Sequence, residues 1–319
     1  MGNDGLHFVA RSPRKLFAAL AALAISLLLA CRCAGDVVIV KTSDAEPYNQ
    51  AEETLRDRLT APNVNIRTVL VKSLADDGIS GSIATTDTVI AIGTPAAAWL
   101  HNQLPEGVEL VYCMVSNARD AGLLKGAPCW GITMDLPPAD QFKVIAEAMP
   151  HTRKLGALYR SDIPAEKDLL DSLRKSLPSG WEIDAVDVAG HATVADAIDE
   201  LTQKDIDLIL TWPDAKLYDS ASIRELLLSA IRNNIPVWGF SPQFVRAGAL
   251  FGAGVDPHAQ ANQTADLIKE LAISKSGHDL VQSPKEYQIA VNLNVADQLR
   301  IDLPDSLVKR ATYVFKEEK

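Results

Sequence analysis

From Asp36 onward, short apolar runs alternate with amphipathic stretches of helical period, the rhythm of repeated strand-helix-strand units and of mainly parallel sheets. Strands covered by helices on both faces read as unbroken Val, Ile and Leu because neither face meets water. In the first half such runs are Val37 to Lys41, Asn65 to Val71, Thr88 to Ile92 and Glu109 to Met114, with helices expected at Gln50 to Leu59 and Pro95 to His101. Leu136-Pro137-Pro138 then stops a strand near Gly131 to Thr133 and precedes an apolar-periodic helix through Phe142, Ile145 and Met149. A second set of strands follows at Leu155 to Tyr159, Glu182 to Val188, Ile206 to Thr211, Pro236 to Phe240 and Ala249 to Phe251. Helices fit between them at Glu166 to Ser176, Thr193 to Thr202, Ser220 to Asn233 and Ala259 to Ile273. The tail adds a strand, Tyr287 to Val291, and a helix, Asn294 to Leu299, with a turn at Leu303-Pro304. The pattern predicts an α/β chain of two lobes, each a mainly parallel sheet flanked by helices. One lobe takes residues 35–135 plus about 252–285, and the other takes 136–251 plus about 286–319, with a hinge and a cleft between them.

Ahead of that body, Arg11, Arg14 and Lys15 precede a fifteen-residue, almost wholly apolar run, Leu16 to Ala30, that ends at Cys31. A basic end followed by a short greasy run is a secretion signal, residues 1–30, and Ala30 beside Cys31 suits cleavage and lipidation of the Cys31 thiol. The alternatives are an uncleaved anchor and cleavage beyond Cys31. An anchor is the poorer fit, because a helix of that length spans only about 23 Å against a hydrocarbon core of about 30 Å. The expected location is the periplasm or the outer face of the cell membrane, with a lipid anchor at Cys31.

The chain carries a formal net charge of -10; removing residues 1–30 takes away three basic residues and Asp4, leaving -12. Such a body has no electrostatic pull toward nucleic acid or an anionic membrane. Lipidation would consume Cys31 and leave Cys33, Cys113 and Cys129. Cys113 and Cys129 fall in or next to adjacent strands, so a bridge and a pair of buried reduced thiols both remain open. No cluster has zinc-ligand spacing, and neither a metal nor a cofactor is expected.

Parallel sheets present ligands at the carboxyl ends of their strands, which selects the candidate binding residues. Ser43, Asp44 and Tyr48 follow the first strand; Ser43 could instead cap the helix and Tyr48 could pack at the hinge. Gly93-Thr94-Pro95 opens a helix, where backbone N–H groups and the Thr94 hydroxyl could hold a carboxylate, or could form only a tight turn. Ser116, Asn117 and Asp120 occupy the corresponding turn after the fourth strand. In the second lobe, Arg160, Ser161 and Asp162 follow one strand, and Trp212, Pro213 and Asp214 follow another. An acid there could face a ligand ammonium beside a stacking indole, or close a local turn. Alternation places Trp238 and Phe240 on one face of their strand; Phe240, nearer its end, could turn out to line the cleft. Gly252, Gly254 and Asp256 read as a bend leading into a helix.

Catalytic groups do not assemble. The sequence has no Gly-x-Ser-x-Gly elbow, no Gly-x-Gly-x-x-Gly or phosphate loop, and no His-Glu-x-x-His, so no catalytic residue is named and the chain is not expected to be an enzyme.

Several stretches together carry a family resemblance: Glu109-Leu-Val-Tyr112, Asp120-Ala-Gly-Leu123, Gly131-Ile-Thr133, Leu155-Gly-Ala-Leu-Tyr159, Ile235-Pro-Val-Trp-Gly-Phe240, Ala247-Gly-Ala-Leu250 and the closing Tyr287-Gln-Ile-Ala-Val-Asn292. From about Val37 to the C-terminus the chain resembles the solute-binding proteins of bacterial ATP-driven (ABC-type) importers, in the family that includes tryptophan- and tyrosine-binding members. The resemblance implies a periplasmic-binding-protein type I fold that closes on a small polar solute, with amino acids among the candidates, and hands it to a membrane permease. It also implies ligand contacts at Ser43, Thr94, Ser116, Asp214 and Phe240, with Asp162 beside them. Two departures stand out: Asn117-Ala118 where relatives carry Asp-Pro, and Arg160-Ser161 where they carry an Asn-Pro turn. A ligand-binding sensor partner of a membrane receptor kinase would use the same cleft and is the alternative role.

Overall fold

The computed structural model describes residues 36–62, 64–79, 83–85, 87–214 and 217–316; the expected secretion signal and Cys31 lie outside them. In chain order the first lobe contains β1 (Val37–Lys41), α1 (Glu46–Leu59), β2 (Ile66–Leu70), α2 (Val71–Asp77), β3 (Thr88–Ile92), α3 (Thr94–Gln103), β4 (Glu109–Val115) and β5 (Trp130–Thr133). The second lobe follows with α4 (Pro138–Ala148), β6 (Lys154–Tyr159), α5 (Pro164–Ser176), β7 (Glu182–Asp187), α6 (Val194–Thr202), β8 (Leu208–Leu210), α7 (Ser220–Arg232), β9 (Val237–Gly239), α8 (Pro242–Ala247) and β10 (Phe251–Gly254). The chain returns to the first sheet with α9 (Pro257–Ile273) and β11 (Val281–Gln282), then finishes in the second with β12 (Gln288–Asn292), α10 (Leu293–Leu299), α11 (Asp305–Arg310) and β13 (Tyr313–Phe315).

The first sheet has the order β11-β5-β4-β3-β1-β2 and the second β13-β12-β10-β9-β8-β6-β7, parallel throughout except for the antiparallel β10–β12 pair. The uninterrupted apolar strands of the sequence are buried on both faces. Val38, Val40, Val89 and Ala91 pack with Leu74, Ala96, Ala97 and Leu100 of α2 and α3, while Ile39, Ile90 and Ile92 pack on the other side with Ala51, Leu55, Ala261 and Ala265 of α1 and α9. The second lobe repeats the arrangement, with α4 and α5 on one face and α6, α7 and α8 on the other.

The three passages between lobes share one property that creates the cleft. β5 ends at Thr133 before α4, β10 ends at Gly254 before α9, and β11 ends at Gln282 before β12. β12 runs antiparallel to β10, so it starts beside the carboxyl end of β10. All three passages therefore join the carboxyl edge of one sheet to the carboxyl edge of the other, and those two edges face each other across the connecting segments.

One expectation needs correction. Gly252 and Gly254 are strand residues of β10, not a bend, and the strand runs to Gly254 before the passage into α9. Gly252 pairs with Gly239 of β9, and a Cβ built on it would lie 1.9 Å from the Gly239 carbonyl oxygen. Glycine there serves close backbone approach. Asp256 then caps α9, its Oδ1 accepting from Ala259 N at 2.9 Å.

Candidate functional site

In the first lobe the strand ends are tied together mainly by the protein's own groups. Lys41, buried at the end of β1, pairs with Glu52 at 2.8 Å and Asp44 at 3.0 Å and donates to Asn49 Oδ1 at 2.6 Å. Burial alone would raise the Glu52 carboxyl, but hydrogen bonds from Lys41, Thr68 and Arg56 outweigh it and hold the group down at about 2. Asp44 is thus an exposed counter-ion of Lys41, and Ser43 is exposed with its Oγ 3.4 Å from Ala45 N. Tyr48 is half-buried against Gly93, whose φ of +94° and whose nearness to Thr42 and the Tyr48 ring leave no room for a side chain.

The start of α3 is less open than its sequence suggests. Thr42 Oγ1 accepts from Ala96 N at 3.2 Å and Ala97 N returns to Gly93 O, while Pro95 has no N–H. The Thr94 hydroxyl accepts from Ser116 N at 3.0 Å. Ser116 Oγ in turn lies 3.8 Å from Met134 Sδ.

Asn117 sits in the left-handed region at φ +47° and closes its own turn, Oδ1 accepting from Asp120 N at 3.1 Å. Its backbone N–H donates at 2.8 Å to Asp135 Oδ2, on the first passage between lobes. Burial pushes the Asp135 carboxyl up to about 6 despite that hydrogen bond. Sequence reading overlooked Asp135, because a single acid before Leu-Pro-Pro carries no motif; its place at the end of a strand entering a passage was the available signal.

A cavity of about 220 Å³ opens at this passage, lined by Asn117, Met134 and Asp135 from one side and by Gln141, Trp212 and Phe240 from the other. Three sequence-selected residues, Asn117, Trp212 and Phe240, therefore meet in one space. Phe240 is half-buried and contacts the rings of Phe244 and Tyr218, with centroids 4.9 and 5.9 Å away, while Trp238 is core. The buried Nε1 of Trp212 and the buried hydroxyl of Tyr218 have no hydrogen-bond partner among the described residues.

Asp214 enters a charged cluster. Its Oδ2 accepts from Arg160 Nε at 2.8 Å and its Oδ1 from Leu217 N at 3.2 Å. Arg160 also reaches Glu166, through its backbone N–H at 2.8 Å and Nη2 at 3.4 Å. Burial, with Asp214 alongside, pushes the Glu166 carboxyl up to about 8. Asp162 is exposed at the rim. Neither Arg160 as a partner of two acids nor Glu166 was foreseen, since Asp214 lies fifty-four residues beyond Arg160, in a different strand-helix unit from Arg160 and Glu166.

Cys113 and Cys129 are buried free thiols, pushed up by burial to about 12 and about 11, so the bridge left open by the sequence is not formed. Among the described residues no helix is long and apolar enough to cross a membrane, and no group of three metal-ligating side chains converges.

No curated protein sequence matches significantly. A Streptococcus pneumoniae ABC domain solved in complex with L-Trp has TM-score 0.63 at 18% identity, covering 88% of this chain and 99% of that one. A conserved domain protein of Vibrio cholerae has TM-score 0.63 at 21% identity over 88% and 99% of the two chains. The ligand-free, open structure of a Clostridium difficile substrate-binding protein with adhesive properties has TM-score 0.68 at 18% identity over 89% and 100%. At such identities these likenesses establish the two-lobe fold. The family model for ABC transporter substrate-binding proteins matches residues 50–315, and the chain belongs to that family.

Proposed function

We propose that this protein is the extracytoplasmic receptor of an ABC importer, anchored by lipid at Cys31, that closes on one small polar solute, an amino acid, and presents it to the membrane permease. The observation that carries the reading is the cavity at the passage between lobes, where Asn117 and Asp135 meet Trp212 and Phe240. A solute touching both sides stabilises the closed arrangement by its extra contacts, and a permease can select that arrangement. The bound L-Trp of the streptococcal neighbour supports an amino acid as the solute class. The aromatic pair Trp212 and Phe240 would hold its apolar part. Ser43, Asp44, Tyr48, Thr94, Ser116, Asp162 and Asp214 stand on the facing edges as rim positions that closure would bring toward it.

The test is mass spectrometry of small molecules retained by the purified protein, followed by calorimetric titration with amino acids, sugars and nucleosides. Saturable binding of an amino acid, weakened by Trp212→Ala and by Phe240→Ala, is the expected result. A protein that emerges empty and binds no member of the panel overturns the reading.

A further inference from the structure

The rim of the second lobe carries an acid that a free amine would be expected to seek, yet that acid is already engaged. Both Asp214 oxygens accept from the protein, Oδ2 from Arg160 Nε at 2.8 Å and Oδ1 from Leu217 N at 3.2 Å. Both Glu166 oxygens accept as well, from Arg160 N at 2.8 Å and Arg160 Nη2 at 3.4 Å. The side chains of Asp214 and Glu166 are 8% and 6% exposed, so neither has spare surface for a second strong partner. Arg160 is different. Its Nη1 donates to no described residue, its side chain keeps 15% exposure, and it stands immediately beyond β6 on the carboxyl edge that faces the first lobe.

On the reading of the protein as a solute receptor, we infer that Arg160, held in place by Asp214 and Glu166, is the group that fixes the solute on the second lobe by taking its carboxylate. A guanidinium is a planar fork of donors, so two acids can lock one side of it while the other stays directed outward. Burial beside Asp214 pushes the Glu166 carboxyl up, which lessens the negative charge held against the guanidinium, with Asp214 and the exposed Asp162 as its remaining acidic neighbours. The open valence is a donor, and it matches an acceptor-bearing anion. Asp214 is thereby a positioning residue for Arg160, and a free amine on the solute must find its partner elsewhere in the cleft.

Calorimetry on the purified protein tests this with the twenty L-amino acids, each binder being rerun as its carboxamide and as the decarboxylated amine. The wild type should prefer the acid to the carboxamide by at least about tenfold, the size of a hydrogen bond to a charged group. Arg160→Gln should bring that preference to within about threefold while the circular dichroism spectrum is retained; loss of packing alone would weaken acid and amide equally. If Arg160→Gln does not fold, Arg160→Lys, which keeps the charge and loses the fork, should lower the same ratio. An acid-over-amide preference unchanged in the variant, or an amine bound as tightly as its amino acid, overturns the assignment. A sugar or nucleoside bound in place of every amino acid also overturns it while leaving the receptor role standing, and an absence of any binder removes both.

Discussion

At the scale of single residues, the cleft combines groups that the sequence announces with groups it hides. Trp212 and Phe240 are readable because aromatic residues at the ends of buried strands must either join the core or line an opening, and strand alternation narrows the choice. Asp135 is hidden because its chemistry comes from burial and from Asn117 N, a neighbour eighteen positions away in sequence. Its carboxyl is pushed up to about 6 by burial, above its unfolded value near 3.9. The sign follows: the folded state is favoured fully below pH ~4, loses that advantage as pH rises through about 6, and above pH ~7 carries a penalty of roughly 3 kcal/mol. Asp135→Asn keeps an acceptor for Asn117 N and removes the ionisation. Thermal melts of the solute-free protein should therefore show the variant several degrees more stable at pH 8, with the gap closing by pH 4. Equal melting temperatures at pH 8 would mean that the carboxylate is well solvated.

At the scale of elements, the strands and long helices were readable from periodicity, and the short pieces were not. β1 and β3 have the bounds that their apolar runs predict, whereas α2, α8, α11, β11 and β13 were missed. Those five are two to seven residues long, too short for a helical or alternating period to register, and they exist because tertiary neighbours complete them. The β4–β5 junction shows how. The register shifts between Tyr112 and Val115, Met114 takes φ +56°, and the ladder alone leaves backbone groups over. Gln260 of α9, buried in the interface, accepts from Met114 N at 3.1 Å and donates to Thr133 O at 2.7 Å, clipping the end of β4 to the end of β5. Nothing in the sequence marks this glutamine, because its two partners lie more than a hundred residues earlier. Gln260→Leu fills similar volume and leaves both backbone groups buried and unmet, at about 1 to 3 kcal/mol each. Urea unfolding should show a stability loss of roughly 2 to 6 kcal/mol with an unchanged slope; a loss below about 0.5 kcal/mol would mean that water replaces the clip.

At the scale of the whole molecule, two lobes and a cleft were readable from the repeated strand-helix rhythm, because two buried parallel sheets need two sets of covering helices. The end of β10 was less readable, since the strand continues through two glycines, Gly252 set close against Gly239 of β9 and Gly254 against Ser241 and Pro242. Three passages side by side restrict how the lobes can move. Each is short, at 134–137, 255–256 and 283–287, and all three join the same pair of sheet edges, so rotation about them opens or shuts the cleft more readily than it slides one lobe past the other. A solute that turns an open population of about 99% into a closed one of about 99% must favour the closed form by about 5.5 kcal/mol. A micromolar solute, at about 8 kcal/mol of binding energy, has enough to do so. Small-angle scattering on a chain trimmed of its first 35 residues measures the consequence. A single compact body of this length would have a radius of gyration of about 19 Å. The solute-free protein should exceed that value and contract toward it as a bound solute from the panel reaches saturation. Contraction that follows the calorimetric binding curve ties closure to occupancy, whereas a radius unchanged at saturation would mean that the lobes are fixed and that a permease must recognise the solute by some other surface.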